Sequence, residues 1–235
     1  MSYQGLDGAF SAKFYDQDTR KGFVKKVYGI LGLQLLLTFA LTLWPVYHME
    51  TRVWMHQHQG MTIAAAVSLI VICCTMICCI HLTRMVPVNY FLLFAFTLCE
   101  AYLMADLAAR TYPAYVVTQA MFMTGIIVVS LSLFAWLTPM DFVIMGPILI
   151  LCIGLSLMMS LIFFFVFSAK AMNAFYCGIG VLIYSIYLVI DTQLIMGGKR
   201  YELEIDDYIL AAFILYTDII MIFLYILRLL SNNRN

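Results

Sequence analysis

The sequence predicts an all-α membrane protein, folded as a bundle of seven transmembrane helices. Of its 235 residues, 64% are hydrophobic and 11% are charged, whereas a soluble domain carries about 25% charged residues. The apolar residues come in continuous runs of about 20 or more, the length of a bilayer crossing. Helices are favoured over a transmembrane barrel because barrel strands alternate in hydrophobicity and because a helix satisfies its own backbone groups in lipid.

Seven apolar runs define the expected helices. In chain order they are Val27–Tyr47, Met61–Leu82, Asn89–Ala109, Ala114–Trp136, Phe142–Phe167, Ala171–Met196 and Tyr208–Leu230. They divide the chain into a cytosolic N-terminal segment (residues 1–26), a transmembrane domain (residues 27–230) and a short tail (residues 231–235).

The distribution of charge predicts orientation and partners. Thirteen Lys and Arg balance thirteen Asp and Glu, so we expect no nucleic-acid partner, and the lipid bilayer is the partner that the composition requires. Across seven spans, eight basic residues fall on the side of the N-terminus and five on the other side. This excess favours a cytosolic N-terminus. The first apolar run begins only near Val27 and ends without a small-residue cleavage pattern, which predicts a retained first span rather than a removed signal peptide.

Two aspartates lie inside predicted spans, where an ionised side chain costs on the order of 3 kcal/mol. Asp191 lies five residues before the end of the sixth run, and Asp218 lies ten residues into the seventh. At about 1.5 Å per residue they are roughly 8 Å and 15 Å from the same membrane face. The link between these runs is short, so the two helices are expected to be neighbours and their carboxyl groups to lie at similar depths.

Such a pair is suited to sensing protons and to touching a cation. Two close, buried carboxylates cannot easily both ionise, so the pair would titrate in coupled steps. Deprotonated, Asp191 and Asp218 offer the oxygen ligands that Ca²⁺ prefers, but Ca²⁺ takes about six to eight oxygens, which favours transient contact over storage. The alternative is that Asp191 is interfacial and that a Tyr or Ser hydroxyl satisfies Asp218.

Glu100 lies near the middle of the third run without a cation close to it in sequence. It must therefore find a hydrogen bond on another helix, line a wet cavity as a pathway acid, or stay protonated. Asp106 and Arg110 follow at a spacing of four, so we expect them to neutralise each other near the far interface.

Arg84 follows the second run on the expected cytosolic side. One hypothesis is that it folds back and latches the Asp191 and Asp218 pair by charge-assisted hydrogen bonds. The other is that it only marks the cytosolic side, which is the commoner use of such an arginine.

Other residues that suggest chemistry are better explained by packing or solvation. The cysteines of a CC-x3-CC pattern wind round a membrane helix, unlike structural zinc ligands, and two loop histidines are expected to be solvated. These residues are Cys73, Cys74, Cys78, Cys79, His56 and His58.

Gly178 and Gly180 form a G-x-G inside the sixth run, where close helix packing is the better explanation. A paired-aspartate intramembrane protease is disfavoured because Asp191 and Asp218 follow Ile190 and Thr217, without a Gly-x-Gly-Asp or a Pro-Ala-Leu segment. With no Ser/His or Cys/His constellation either, we expect no enzyme and no cofactor.

Four groups of residues, in chain order, resemble the Lifeguard branch of the Bax-inhibitor family over nearly the whole chain. They are Phe14-Tyr15-Asp16 through Arg20, Phe23, Lys26-Val27-Tyr28 and Gln34-Leu35-Leu36; Pro87, Asn89-Tyr90 and Phe96-Thr97-Leu98-Cys99-Glu100; Asp191-Thr192-Gln193-Leu194-Ile195-Met196-Gly197-Gly198-Lys199; and Leu215-Tyr216, Asp218-Ile219-Ile220 and Phe223-Leu224-Tyr225.

The resemblance implies a seven-helix bundle with a central last helix in the endoplasmic reticulum, the Golgi or another cellular membrane. It further implies a calcium leak channel that suppresses cell death, alone or with cell-death regulatory membrane proteins. By similarity, Asp191 and Asp218 fall on the family's pH-sensing pair, and Arg84 falls near its latch. Ile214 and Met221 stand where many relatives carry Asn, which favours a non-conducting interaction protein as the alternative.

Overall fold

The computed structural model describes residues 3–143, 170–197 and 203–232, and the regular elements in these ranges are all helical. The α-helices are α1 (Tyr3–Tyr47), α2 (Met49–Gln57), α3 (Gln59–Cys78), α4 (Ile80–Arg84), α5 (Val88–Thr111), α6 (Ala114–Leu137), α7 (Lys170–Met196) and α8 (Tyr208–Asn232). A 3₁₀ turn, Ile205–Asp207, leads directly into α8.

Six described segments are long and apolar enough to cross a membrane, which confirms an all-α, multi-pass membrane protein. They are Asp18–Tyr47, Gln59–Cys78, Val88–Thr111, Ala114–Leu137, Ala174–Met196 and Ile205–Ser231. The expected fifth span, Phe142–Phe167, lies outside the described residues except for Phe142 and Val143. The count of seven therefore stays a prediction.

Two helix boundaries differ from the apolar runs. α1 begins at Tyr3, so the polar N-terminal residues continue the helix of the first span without a break. α3 ends at Cys78, and Cys79, with φ −114° and ψ 61°, separates it from α4. Hydropathy marks where lipid begins, whereas backbone hydrogen bonding marks where a helix ends, and the two need not coincide.

The last helix is the centre of the bundle. The span that contains α8 is 72% buried, against 6% for α3 and 17% for α6. α8 packs against α1, α5, α6 and α7, and its largest buried side chains include Tyr216 and Phe223. The expected central position of the last helix is thereby confirmed among the described spans.

Side-chain contacts define two ends of the bundle. The Arg84 end comprises Arg20, Arg84, the end of α7 and residues 203–207; the Arg110 end comprises the end of α1, α2 and the end of α5. α1, α5 and α8 run from the Arg84 end to the Arg110 end. α3, α6 and α7 run the opposite way.

Gly180 allows α7 and α8 to approach closely, as the packing explanation of the G-x-G predicts. A Cβ atom on Gly180 would lie 2.5 Å from Cε1 of Tyr225 on α8, whereas a Cβ on Gly178 would meet nothing within 4 Å. The Tyr176 ring packs edge-on against the Tyr225 ring and the Tyr184 ring packs against it at a tilt, which restricts the movement of Tyr225. Only Gly180 is therefore required by this helix contact.

Replacing Gly180 by Val tests the contact. We expect Gly180→Val to destabilise the purified protein by about 1 to 3 kcal/mol, because the new side chain overlaps the Tyr225 ring. Thermal unfolding in detergent measures the loss, and Gly178→Val, which carries the same helix-propensity change, is the control. Equal melting temperatures for the two variants would contradict the prediction.

Candidate functional site

The structure brings Asp191 of α7 and Asp218 of α8 together. Their carboxyl groups lie within hydrogen-bonding distance of each other. Asp218 is 6% exposed, and Asp191, about one and a half turns from the end of α7, is partly exposed. The site is thus a carboxyl pair at the α7–α8 contact, close to the Arg84 end.

The hydrogen bond between the two carboxyl groups has a chemical requirement. A carboxylate only accepts hydrogen bonds, so one member must carry a proton to donate. The second oxygen of Asp218, Oδ2, is buried and has no hydrogen-bond partner in the part of the chain that the structure describes. A hydrogen bond within this pair thus requires one shared proton, and Oδ2 of Asp218 stays a buried acceptor.

Arg84 binds a different acidic pair. Its Nε donates to Oδ1 of Asp207 at 2.7 Å and its Nη2 to Oδ2 at 2.9 Å, and Nη2 lies 2.8 Å from Oε2 of Glu204. The pKa of the Arg84 guanidinium is raised above its ordinary value, and the hydrogen bonds to Asp207 are the largest cause. Arg84 is thus a fixed cation that fastens α4 to the start of α8.

The contacts of Arg84 in the structure differ from the hypothesis that it binds Asp191 and Asp218. Eleven residues of α8 and its preceding turn separate Asp207 from Asp218, which is roughly 16 Å along a helix. The short α4 leaves Arg84 at the end of the bundle, where it contacts Asp207 and Glu204 among the described carboxylates. Acidic residues just before an apolar run are typical of a helix start, and this signal could have identified Asp207.

Arg20, for which the sequence predicts no specific contact, holds the end of α7. Its Nη1 donates to the carbonyl of Leu203 at 2.6 Å and its Nη2 to the carbonyl of Leu194 at 2.8 Å. The amide of Leu203 also donates to the Leu194 carbonyl at 3.1 Å. A cation on the last carbonyls of a helix is a favourable C-terminal cap. Arg20 thereby holds the backbone at the end of α7 in place, about one turn beyond Asp191.

Gln193 holds the end of α7 from the other side. It is 1% exposed; its Nε2 donates to the carbonyl of Met140 at 2.9 Å, and its Oε1 accepts from the amide of Phe142 at 2.9 Å. The side chain thus satisfies two backbone groups of the segment after α6. Sequence reasoning missed Gln193 because backbone acceptors and donors leave no pattern of residue types.

Glu100 lies apart from the aspartate pair, on the side of α8 that faces α5. It is partly buried and interacts electrostatically with Tyr216 of α8 and with Cys73 of α3. Its placement in the interior of the bundle leaves both a structural and a pathway role open.

The expected pairing of Asp106 with Arg110 is confirmed at 2.6 Å. Arg110 also donates to the Met55 carbonyl at 2.8 Å and lies 3.1 Å from Nδ1 of His56, while Thr62 donates to Asp106 at 3.1 Å. Within the described ranges, no group of three or more His, Cys, Asp or Glu side chains is placed to hold a metal ion. The Arg110 end is therefore a structural network of hydrogen bonds.

The fold and site define a class: a multi-pass helical membrane protein whose central last helix shares a carboxyl pair with the helix before it. Residues 20–235 match the sequence model of the family described as Inhibitor of apoptosis-promoting Bax1. The chain belongs to this Bax-inhibitor family, and membership implies a role in apoptosis regulation.

Individual relatives agree with the family match. The chain is 27% identical over 242 residues to protein lifeguard 3 of Homo sapiens, covering 98% of this chain and 76% of the relative. It is 26% identical over 235 residues to protein lifeguard 3 of Mus musculus, covering 97% and 74%. Over 213 residues it is 30% identical to protein lifeguard 4 of Mus musculus, covering 90% and 85%.

The Arg84 contacts predict unequal effects of two charge-neutralising substitutions. Asp207→Asn should lower the melting temperature by several degrees, because Asp207 has a side chain 8% exposed and makes two hydrogen bonds to Arg84. Glu204→Gln should have little effect, since the Glu204 side chain is 69% exposed and its ion pair is screened by solvent. Thermal unfolding of both variants checks the difference, and an equal loss would contradict it.

The Arg20 contacts predict local opening when the fork of donors is lost. Arg20→Lys should speed hydrogen exchange at the Leu203 amide by roughly tenfold, because a lysine cannot hold two carbonyls in the geometry of a guanidinium. Exchange mass spectrometry of the peptide that contains Leu203 measures the rate. Lys21→Ala, which removes an exposed pair with Asp18, is the control and should leave that rate unchanged.

Proposed function

We propose that the protein passes Ca²⁺ down its gradient across a cellular membrane, under the control of the shared proton of Asp191 and Asp218. The observation that carries the proposal is the close approach of the two carboxyl groups at a largely buried site, with Oδ2 of Asp218 left without a partner among the described residues. Calcium homeostasis and the suppression of cell death are its proposed cellular roles.

The chemistry of the pair supports gating by protons. While the proton is shared, the pair carries one negative charge and its two carboxyl groups hold each other. When that proton leaves, two carboxylates repel each other, and a divalent cation relieves the repulsion. Two carboxylates fall well short of the about six to eight oxygens of a stable Ca²⁺ site, so the ion binds weakly and moves on.

The Arg84 end supplies a closure for this proposed path. Arg20 and Arg84 fasten residues 203–207, which connect to the helix that bears Asp218. In the proposed mechanism Arg84 latches the closed form by holding Asp207, rather than by holding the aspartate pair. Release of this segment opens the way between the end of α7 and the membrane surface.

The proposal places the N-terminus in the cytosol and the protein in the endoplasmic reticulum, the Golgi or another cellular membrane. It needs no resident cofactor and no enzymatic reaction; the lipid bilayer and Ca²⁺ are its partners. Support comes from the basic residues of the Arg84 end, which fit the side where Lys and Arg accumulate.

A second candidate function is a non-conducting membrane protein that regulates apoptosis or stress signalling through cell-death regulatory membrane proteins. The observation that favours it is the apolar character of Ile214 and Met221, which lie one turn before and nearly one turn after Asp218 on α8. These side chains offer a passing cation no oxygen ligands.

Neutralising one aspartate tests the proposed function. Asp218→Asn should flatten the pH dependence of Ca²⁺ flux in reconstituted liposomes, because an amide cannot take up or release the shared proton. Asp106→Asn is the control: it removes a carboxylate that is paired with Arg110 and should keep the wild-type pH profile.

Two outcomes contradict the proposed function. A wild-type pH profile in Asp218→Asn would remove the sensor role from the pair. An absence of Ca²⁺ flux through the purified wild-type protein across roughly pH 6 to 8, where coupled carboxyl pairs can titrate, would favour the non-conducting alternative.

A further inference from the structure

α1 carries a buried stripe of polar residues that the aspartate pair does not use. Gln34, Thr38 and Thr42 are spaced four residues apart and are 6%, 1% and 0% exposed. This spacing puts them on one face of the helix, over a length of about 12 Å. The polar stripe, as we name these three residues, faces the interior of the bundle toward α5 and α8.

The polar stripe is hydrogen-bonded to both neighbouring helices. Nε2 of Gln34 donates to Oγ1 of Thr97 on α5 at 2.8 Å, and the Thr97 hydroxyl donates to the Leu93 carbonyl at 2.7 Å. The hydroxyls of Thr38 and Tyr216 of α8 share a hydrogen bond of 2.8 Å. Interhelical bonds of this kind stabilise membrane bundles, but they use only part of the hydrogen-bonding capacity of the stripe.

Two oxygens of the polar stripe are buried and have no protein partner in the described ranges: Oε1 of Gln34 and Oγ1 of Thr42. An unsatisfied buried polar group costs about 1 to 3 kcal/mol, and interior polar groups without a protein partner are commonly satisfied by buried water. The contact between α1, α5 and α8 thus holds more acceptors than the protein satisfies.

We propose that the polar stripe binds a file of water molecules between α1, α5 and α8. Tyr216 and Asp218 are two residues apart on α8, about 200° round the helix, so the water file and the aspartate pair lie on opposite faces of the central helix. The inference goes beyond the proposed function and does not rest on the aspartate pair. Water binding itself requires no ion flux.

The test is radiolytic hydroxyl-radical labelling of the purified wild-type protein in lipid nanodiscs. Radicals formed from bound water oxidise the side chains beside it, whereas a dry core residue is protected. Tyr216 is 0% exposed, and its control on the same helix, Phe223, is 1% exposed and packs on the ring of Phe39. After correction for intrinsic reactivity, we expect Tyr216 to be oxidised about tenfold faster than Phe223, since water is ordered only where polar partners hold it.

A substitution separates bound water from dry packing. Thr42→Val keeps the side-chain shape and removes one acceptor, so it should slow the oxidation of Tyr216. Thr124→Val is the matched control, because Thr124 is also 0% exposed but its hydroxyl already donates to the Ala120 carbonyl at 2.8 Å. Equal oxidation of Tyr216 and Phe223 in the wild type, or an unchanged rate in Thr42→Val, would overturn the proposal.

The two experiments distinguish failure of the water file from failure of the proposed function. Rapid oxidation of Tyr216 in a protein that passes no Ca²⁺ supports the water file and rejects the channel. Ca²⁺ flux with a protected Tyr216 supports the channel and rejects the water file.

Discussion

The close approach of the Asp191 and Asp218 carboxyl groups is the chemical constraint at the α7–α8 contact. Two acids at a buried helix contact are tolerated while they share a proton, because repulsion between two carboxylates would otherwise push the helices apart. Farther along the same contact, Gly180 lets the Tyr225 ring approach α7. The α7–α8 contact therefore has two parts. One is the tight packing of Gly180 and Tyr225, and the other is the Asp191 and Asp218 pair, whose stability depends on protonation.

The arginine contacts of the described bundle lie at its two ends, and they are made in different ways. At the Arg84 end, Arg20 binds backbone carbonyls and Arg84 binds carboxylates. At the Arg110 end, Arg110 binds Asp106 and a carbonyl of α2. Between the ends, the polar groups on α1 are neutral amides and hydroxyls, which cost less in a membrane than ions do. The arginine contacts that hold the helices together are thus separate from the neutral polar groups of α1 inside the bundle.

Hydropathy predicted six spans that the structure describes, and helix depth was enough to predict that Asp191 and Asp218 meet, because both quantities follow from position along the chain. The partner of Arg84 was not predictable in the same way, since a sequence does not say which of several nearby carboxylates a flexible side chain reaches. Arg20 and Gln193 were missed because they bind backbone groups, which every residue carries. The gap at Cys79 was missed because hydropathy runs through it.

α1 is one uninterrupted helix from Tyr3 to Tyr47, and this continuity has a mechanical consequence. A helix of this length is stiff, so a sideways force on its first turns tilts the whole helix. The displacement then extends across the bilayer. Arg20 near one surface and Thr38 deep in the bundle would shift as one body. A protein that binds the first turns of α1 would thus disturb two contacts together. They are the contact of Arg20 with the end of α7 and the contact of Thr38 with Tyr216.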